Sequence, residues 1–224
     1  MSTTVRAIAF DVMDTLLTDP FRDALRAATG LTLTELSRRR RPGLWPAFER
    51  GEIDEDEFWA AFTADGIPCD PAAFHRTRRA GTGWITGMPP LLDELDGRLR
   101  RVTASNYPVW IHEVADEHLG DRLDEVIASY HLGARKPEPA FYHGLLERLE
   151  LPPAAVLFVD DRAENVDGAR ELGISAHRFV DAATLRVWLR EHGVDVVGEP
   201  VVDVELSGGD PPQCDDLGPV SGER

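Results

Sequence analysis

The chain has 224 residues, 42% of them apolar and 29% charged, with 40 acidic against 24 basic side chains and a formal charge of −16. This length suits one domain, or one domain with an insertion, and it buries enough surface to fold without a metal or disulfide framework. The acidic balance excludes nucleic acid or an anionic membrane as the main partner, because phosphate neutralisation needs a concentrated positive field. No apolar run approaches the roughly 18 residues of a membrane span. Cys69 and Cys214 have neither CxxC nor metal-type spacing. The N-terminus, MSTTVRAIAFD, enters a strand directly, and a cytoplasmic protein is expected.

The first element is VRAIAFD, residues 5–11, a β-rich run too short for a helix and ending in an aspartate. Residues 18–84 then read as short helical pieces punctuated by Gly and Pro, with Asp54 as an N-cap ahead of Phe58, Ala61 and Phe62. No strand alternation occurs there, so this stretch is a helical insertion. Trp45 and Phe48 read as its core, with an aromatic stacking surface as the minority reading. The run Arg38–Arg41 reads as a solvated helix end.

After the insertion strands and helices alternate. Met88–Leu95 is a helix with prolines at its start. Arg101–Ser105 is a strand, Pro108–Leu119 a helix stopped by Gly120, and Glu125–Ser129 a strand. Glu138–Leu149 is a helix and Ala155–Asp160 a strongly apolar strand. Ala163–Leu172 is a helix, Ser175–Phe179 a strand and Thr184–His192 a last helix. This alternation implies an α/β fold, a doubly wound parallel sheet whose ligand site lies beyond the C-terminal ends of its strands. The domain boundaries expected are 1–17 with 85–196 for the core and 18–84 for the insertion. From Val197 onward an acidic, Gly- and Pro-rich tail reads as disordered.

Polar residues gather at the strand ends. The first strand ends in Asp11, followed by Met13, Asp14 and Thr15. The second ends in Ser105 and Asn106, and the third in Asp160 and Asp161, with Asn165 one turn on. The loop GARKPEP carries Lys136, the sole lysine, in a chain where the other 23 basic residues are arginine. A lysine kept against that bias fits a need for a compact charge on a flexible stem. His112, one turn past the second strand, reads as structural. Together the strand-end groups offer a carboxylate nucleophile, carboxylates for a hard divalent cation, and hydroxyl, amide and ammonium groups for an anion. Such a set suits metal-assisted phosphoryl transfer.

The sequence resembles the haloacid dehalogenase superfamily in the order and spacing of four motifs: FDVMDTLL, TASN, GARKPEP and FVDDRAEN. The insertion resembles that superfamily's cap domain, and the likeness spans residues 5–193. FDVMDTLLTDPF, SNYPVW, ARKPEPAFY and LWPAFERGEIDEDEF resemble, more narrowly, the branch that contains a flavin mononucleotide hydrolase. The resemblance implies Asp11 as nucleophile forming an aspartyl-phosphate, with Ser105 and the Asn106 amide holding phosphate oxygens. Lys136 would neutralise nucleophile and phosphate together. Asp161 would ligate Mg²⁺, with Asp160 beside it, together with Asp11 and the Met13 backbone carbonyl. Asn165 would stand behind them.

One position departs from the pattern. Family phosphatases carry an aspartate two residues after the nucleophile as general acid/base, and here that place is Met13. Asp14, where glycine is common, is the candidate to take over proton transfer. The implied function is Mg²⁺-dependent hydrolysis of a small phosphorylated metabolite, flavin mononucleotide first, with cap and core closing over it. A C–halogen hydrolase using Asp11 without metal is one alternative. A catalytically weak ligand- or partner-binding member is the other, and the pair Asp160–Asp161 favours the phosphatase over the dehalogenase.

Overall fold

The computed structural model describes residues 4–197. The expected disordered tail, apart from Val197, and Cys214 fall outside the described residues. Four strands form a parallel sheet in the order β2-β1-β3-β4: β1 (Ala7–Phe10), β2 (Arg100–Thr103), β3 (Val156–Asp160) and β4 (Ser175–Arg178). Every residue of the central strands β1 and β3 is buried. That is why both read as continuous apolar runs, as strands covered on both faces do. The register pairs Phe10 with Val159. One step further along both strands, Asp11 therefore arrives beside Asp160.

Two compact units are present. The first comprises residues 4–18, 49–51 and 83–197, and the second residues 19–48 and 52–82. The second unit is all helical: α1 (Phe21–Thr29), α2 (Leu33–Arg39), α3 (Leu44–Glu49, whose last residue belongs to the first unit), α4 (Glu55–Ala64) and α5 (Pro71–Gly81). Asp54 caps α4 as expected, in a reciprocal capping box with Glu57. Trp45 and Phe48 are buried, and Phe48 stacks on Phe58 at 4.5 Å between ring centroids. Their place is in this unit's own aromatic core. The arginine run divides: Arg38 and Arg39 are exposed, whereas Arg40 is buried and Arg41 pairs with Asp65 at 2.7 Å. Cys69 is a free thiol.

The sheet-bearing unit adds α6 (Met88–Leu95), α7 (Ile111–Val114), α8 (Ser129–Leu132), α9 (Pro139–Leu149), α10 (Ala163–Glu171) and α11 (Ala182–Glu191). Three expectations differ from what is observed. Residues 125–129 form no ladder strand; they touch β2 and its continuation through isolated bridges at Val102–Glu125 and Ser105–Ala128. The Thr103 hydroxyl accepts from the Ile127 amide (2.7 Å) and donates to the Ile127 carbonyl (2.8 Å), so the Ile127 amide is spent on a side chain while its carbonyl also takes the Ser105 amide.

The helix expected over 108–119 starts at Ile111 and widens into a π-turn over Ala115–Leu119. On an α-helix Val114 and Leu119 would point about 140° apart. The wider turn lets both be buried. The last helix begins two residues early, at Ala182, because Asp181 caps it by accepting from the Thr184 amide at 2.7 Å.

Candidate active site

Each group singled out at a strand end sits in the sheet-bearing unit, on the edge where parallel strands finish. Asp11 follows β1, with its amide bonded to the Val159 carbonyl at 2.8 Å and its side chain 10% exposed. Asp160 closes β3 and is fully buried. Between them lies the Lys136 ammonium, 2.7 Å from Asp11 Oδ1 and 2.6 Å from Asp160 Oδ2. The ring centroids of Phe141 and Phe158 lie 5.8 and 5.5 Å from Nζ, so part of the ammonium's surroundings is aromatic. Burial opposes its charge, but the charges of Asp11 and Asp160 and their hydrogen bonds prevail and raise the Lys136 pKa. The ammonium stays protonated.

Asp160 is held from three further directions. Oδ1 accepts from the Arg162 amide at 2.9 Å, and the Asn165 carboxamide donates to both of its oxygens, at 3.0 and 3.1 Å. Asn165 is itself anchored, for its carbonyl accepts from the buried Tyr142 hydroxyl at 2.6 Å. Tyr142 ends the segment ARKPEPAFY, which assigns it no role; its place four residues into α9, on a buried face, is the signal that could have suggested one. Asp161 is less engaged. Burial, followed by the charges of Asp11 and Asp160, pushes its carboxyl up to about 8.

Asp11, Asp160 and Asp161 each offer a carboxylate oxygen within 4.8 Å of the others. Three carboxylates this close repel one another, and that repulsion adds to burial in raising the Asp161 pKa. A cation relieves what a proton otherwise must. The donors are all oxygen, which suits a hard ion such as Mg²⁺. The residues fit the metal.

The Asn106 side chain is turned to the Lys136 loop. Its carboxamide clasps the Lys136 backbone, accepting from the amide at 2.7 Å and donating to the carbonyl at 2.9 Å. Ser105, 2% exposed, lies just after β2, with its carbonyl bonded by the Ser129 amide at 2.8 Å. Met13 pairs with Leu17 in a tight loop, and Asp14 sits at φ 57°, in the left-handed region, with its amide donating to the Leu17 carbonyl at 2.7 Å. Aspartate tolerates that conformation better than most residues. Its charge is close enough to raise the Asp161 pKa further. His112 is an exposed ring packed edge-on against Tyr130 and His131.

The family model for haloacid dehalogenase-like hydrolases matches residues 5–173. A flavin mononucleotide hydrolase of Arabidopsis thaliana chloroplasts is 34% identical over 191 residues, 84% of this chain and 78% of that protein. A sesquiterpene phosphatase of Aspergillus oryzae is 31% identical over 199 residues, 85% of this chain and 98% of that protein. Among solved structures, a haloacid dehalogenase-family enzyme from Bacteroides thetaiotaomicron in complex with magnesium and inorganic phosphate matches with a TM-score of 0.67. It is 19% identical, and the match covers 81% of this chain and 98% of that one. No helix among the described residues is long and apolar enough to cross a membrane. A parallel sheet with four motif segments at its strand ends, matched along most of its length, makes this chain an enzyme of the haloacid dehalogenase-like hydrolase family, related to phosphatases.

Proposed function

We propose that the protein is a Mg²⁺-dependent phosphatase of small phosphomonoesters, with flavin mononucleotide as first substrate, working through an aspartyl-phosphate on Asp11. The observation that carries this reading is the buried Asp11–Lys136–Asp160 triad beside a third carboxylate, Asp161. An unpaired carboxylate at the end of a buried strand is costly, and here it is paired with, and aimed by, one ammonium. The relatives support the substrate class, and the 34%-identical plant hydrolase supports the flavin nucleotide.

The chain's own residues account for the steps. The Asp11 carboxylate attacks phosphorus while the bond to the leaving oxygen breaks, and that oxygen takes a proton from Asp14. Asp14, now ionised, removes a proton from the water that attacks the aspartyl-phosphate. Breaking the phosphorus–oxygen bond to Asp11 restores its carboxylate and frees phosphate. Lys136 holds Asp11 in place and balances the charge gathering on the phosphoryl oxygens. Ser105 and the Asn106 backbone amide bind those oxygens, since the Asn106 side chain is engaged by Lys136. Asp11, Asp161, the Met13 carbonyl and Asp160 would hold Mg²⁺, Asp160 the more remotely because Lys136 and Asn165 occupy its oxygens. The ion would supply Lewis-acid charge neutralisation between phosphate and carboxylates. The helical unit serves as the cap that selects the substrate.

Turnover of flavin mononucleotide and an aryl phosphate, with and without Mg²⁺, tests the reading. Metal-dependent phosphate release is expected, and Asp11→Asn should lose at least ~4 kcal/mol of transition-state stabilisation because the covalent route is closed. Residual activity above a tenth of wild type in that variant removes Asp11 as nucleophile. Met13, apolar where family phosphatases carry the acid, favours a second reading. Chloride release from a 2-haloacid without metal would establish a C–halogen hydrolase, and silence in both assays a binding protein.

A further inference from the structure

The segment Glu49–Gly51 belongs to the sheet-bearing unit although the chain on both sides of it builds the helical one. Several of its contacts lead to the Lys136 loop and to α8. The Glu49 side chain is 4% exposed, and its Oε2 lies 2.7 Å from Nε of Arg135, the residue immediately before Lys136. The Nε–H is poorly aligned on that oxygen, so the contact is a close ion pair rather than a good hydrogen bond. The Glu49 carbonyl accepts from Ser129 Oγ at 2.7 Å, and Ser129 in turn accepts from the Tyr107 amide at 3.0 Å and donates its own amide to the Ser105 carbonyl. Gly51, at φ 68°, is a residue whose added Cβ would come within 3.0 Å of the Tyr130 ring. The segment thus sits close against α8.

Lys136 is consequently bracketed. Asn106 fixes its backbone amide and carbonyl from one side, and the Arg135–Glu49 pair fixes the preceding residue from another. The ammonium must meet Asp11 and Asp160 together at 2.7 and 2.6 Å, a geometry with little slack. A buried carboxylate 2.7 Å from a guanidinium holds that guanidinium's backbone in place, and breaking such a buried pair is costly. We propose that Glu49 and Arg135 are positioning residues: their ion pair sets the backbone of Lys136 and so aims its ammonium at Asp11. The kinetic part of this proposal rests on the phosphatase reading; the structural part does not.

The test uses Lys136 as its own reporter, since a protein with one lysine labelled with ¹⁵N at Nζ gives one side-chain ammonium signal. In the full chain, Glu49→Gln and Arg135→Gln should each shift that signal and speed its proton exchange. Each should also lower kcat on an aryl phosphate at least ~10-fold, as misplacement by about 1 Å does, with KM changed less than about threefold. The double variant Glu49→Gln/Arg135→Met removes both charges of the pair and is the form expected to fold if the single ones do not. It should show the same displaced ammonium, and the effects of the two changes should not add. Arg41→Gln, which breaks an ion pair of the same length in the helical unit, should leave signal and kcat unchanged. A wild-type ammonium signal in the folded double variant overturns the proposal, whatever the turnover. A wild-type enzyme that releases no phosphate overturns the phosphatase reading while the signal still decides the positioning role.

Discussion

Lys136 meets two carboxylates with a single nitrogen, at 2.7 and 2.6 Å, with aromatic rings near it. A planar guanidinium is larger and its donors are fixed in a fork, so it cannot reproduce that three-body contact. Lys136→Arg should keep the charge yet lower kcat at least ~10²-fold and cost about 1–3 kcal/mol of stability by overpacking; steady-state kinetics and urea denaturation read the two effects. Asp14 supports a second expectation. If it is the proton carrier, Asp14→Asn should slow turnover roughly 10²–10⁴-fold with an alkyl phosphate and much less with a nitrophenyl phosphate, whose leaving group departs with little protonation. Rapid-quench measurement of phosphoenzyme decides the point. A stable phosphoenzyme already present in the wild type would remove Asp14 from that role.

Among the elements, the bridge-forming segment at residues 125–128 is held by backbone bonds and by one hydroxyl. Thr103 both accepts from and donates to Ile127; the Ile127 carbonyl also accepts from the Ser105 amide, so Thr103→Val strands the buried Ile127 amide and should cost about 1–3 kcal/mol. Unfolding in urea with an unchanged m-value would check it. That same hydroxyl marks where pattern reading reaches its limit. Val126, Ile127 and Ala128 have strand character, and nothing local says that a threonine on the neighbouring strand will take the Ile127 amide. The π-turn at 115–119 was equally hidden, because the signal lies in which residues are buried, not in their order. By contrast the carboxylates at the ends of β1 and β3 were legible. Each follows an apolar run that only a covered strand explains, and a parallel register brings such ends together. The Glu49–Arg135 pair was not legible: its partners lie in the two segments LWPAFERGEIDEDEF and GARKPEP, but far apart in the chain, and no spacing rule links them.

At the scale of the molecule, the crowding of Asp11, Asp160 and Asp161 ties stability to pH and metal. Asp161 titrates near 8 in the folded chain against about 3.9 when unfolded. The folded state therefore binds the extra proton throughout that window, and metal-free stability falls as pH rises from about 4 to 8. A bound cation replaces the proton, so the rise in Tm on adding Mg²⁺ should be small at pH 5.5 and larger at pH 8.5. Asp161→Asn should flatten that difference; an equal Mg²⁺ effect at both pH values in the wild type would contradict the argument. The burial of Lys136, whose side chain is 1% exposed, also governs how the protein meets chemistry from outside. Its only ε-amine is shielded and protonated, so acylating reagents that decorate most proteins at many surface lysines find none here while the fold is intact. Each acylation of Lys136 would record an opening of the active site, and its rate would measure how often the catalytic loop lets go.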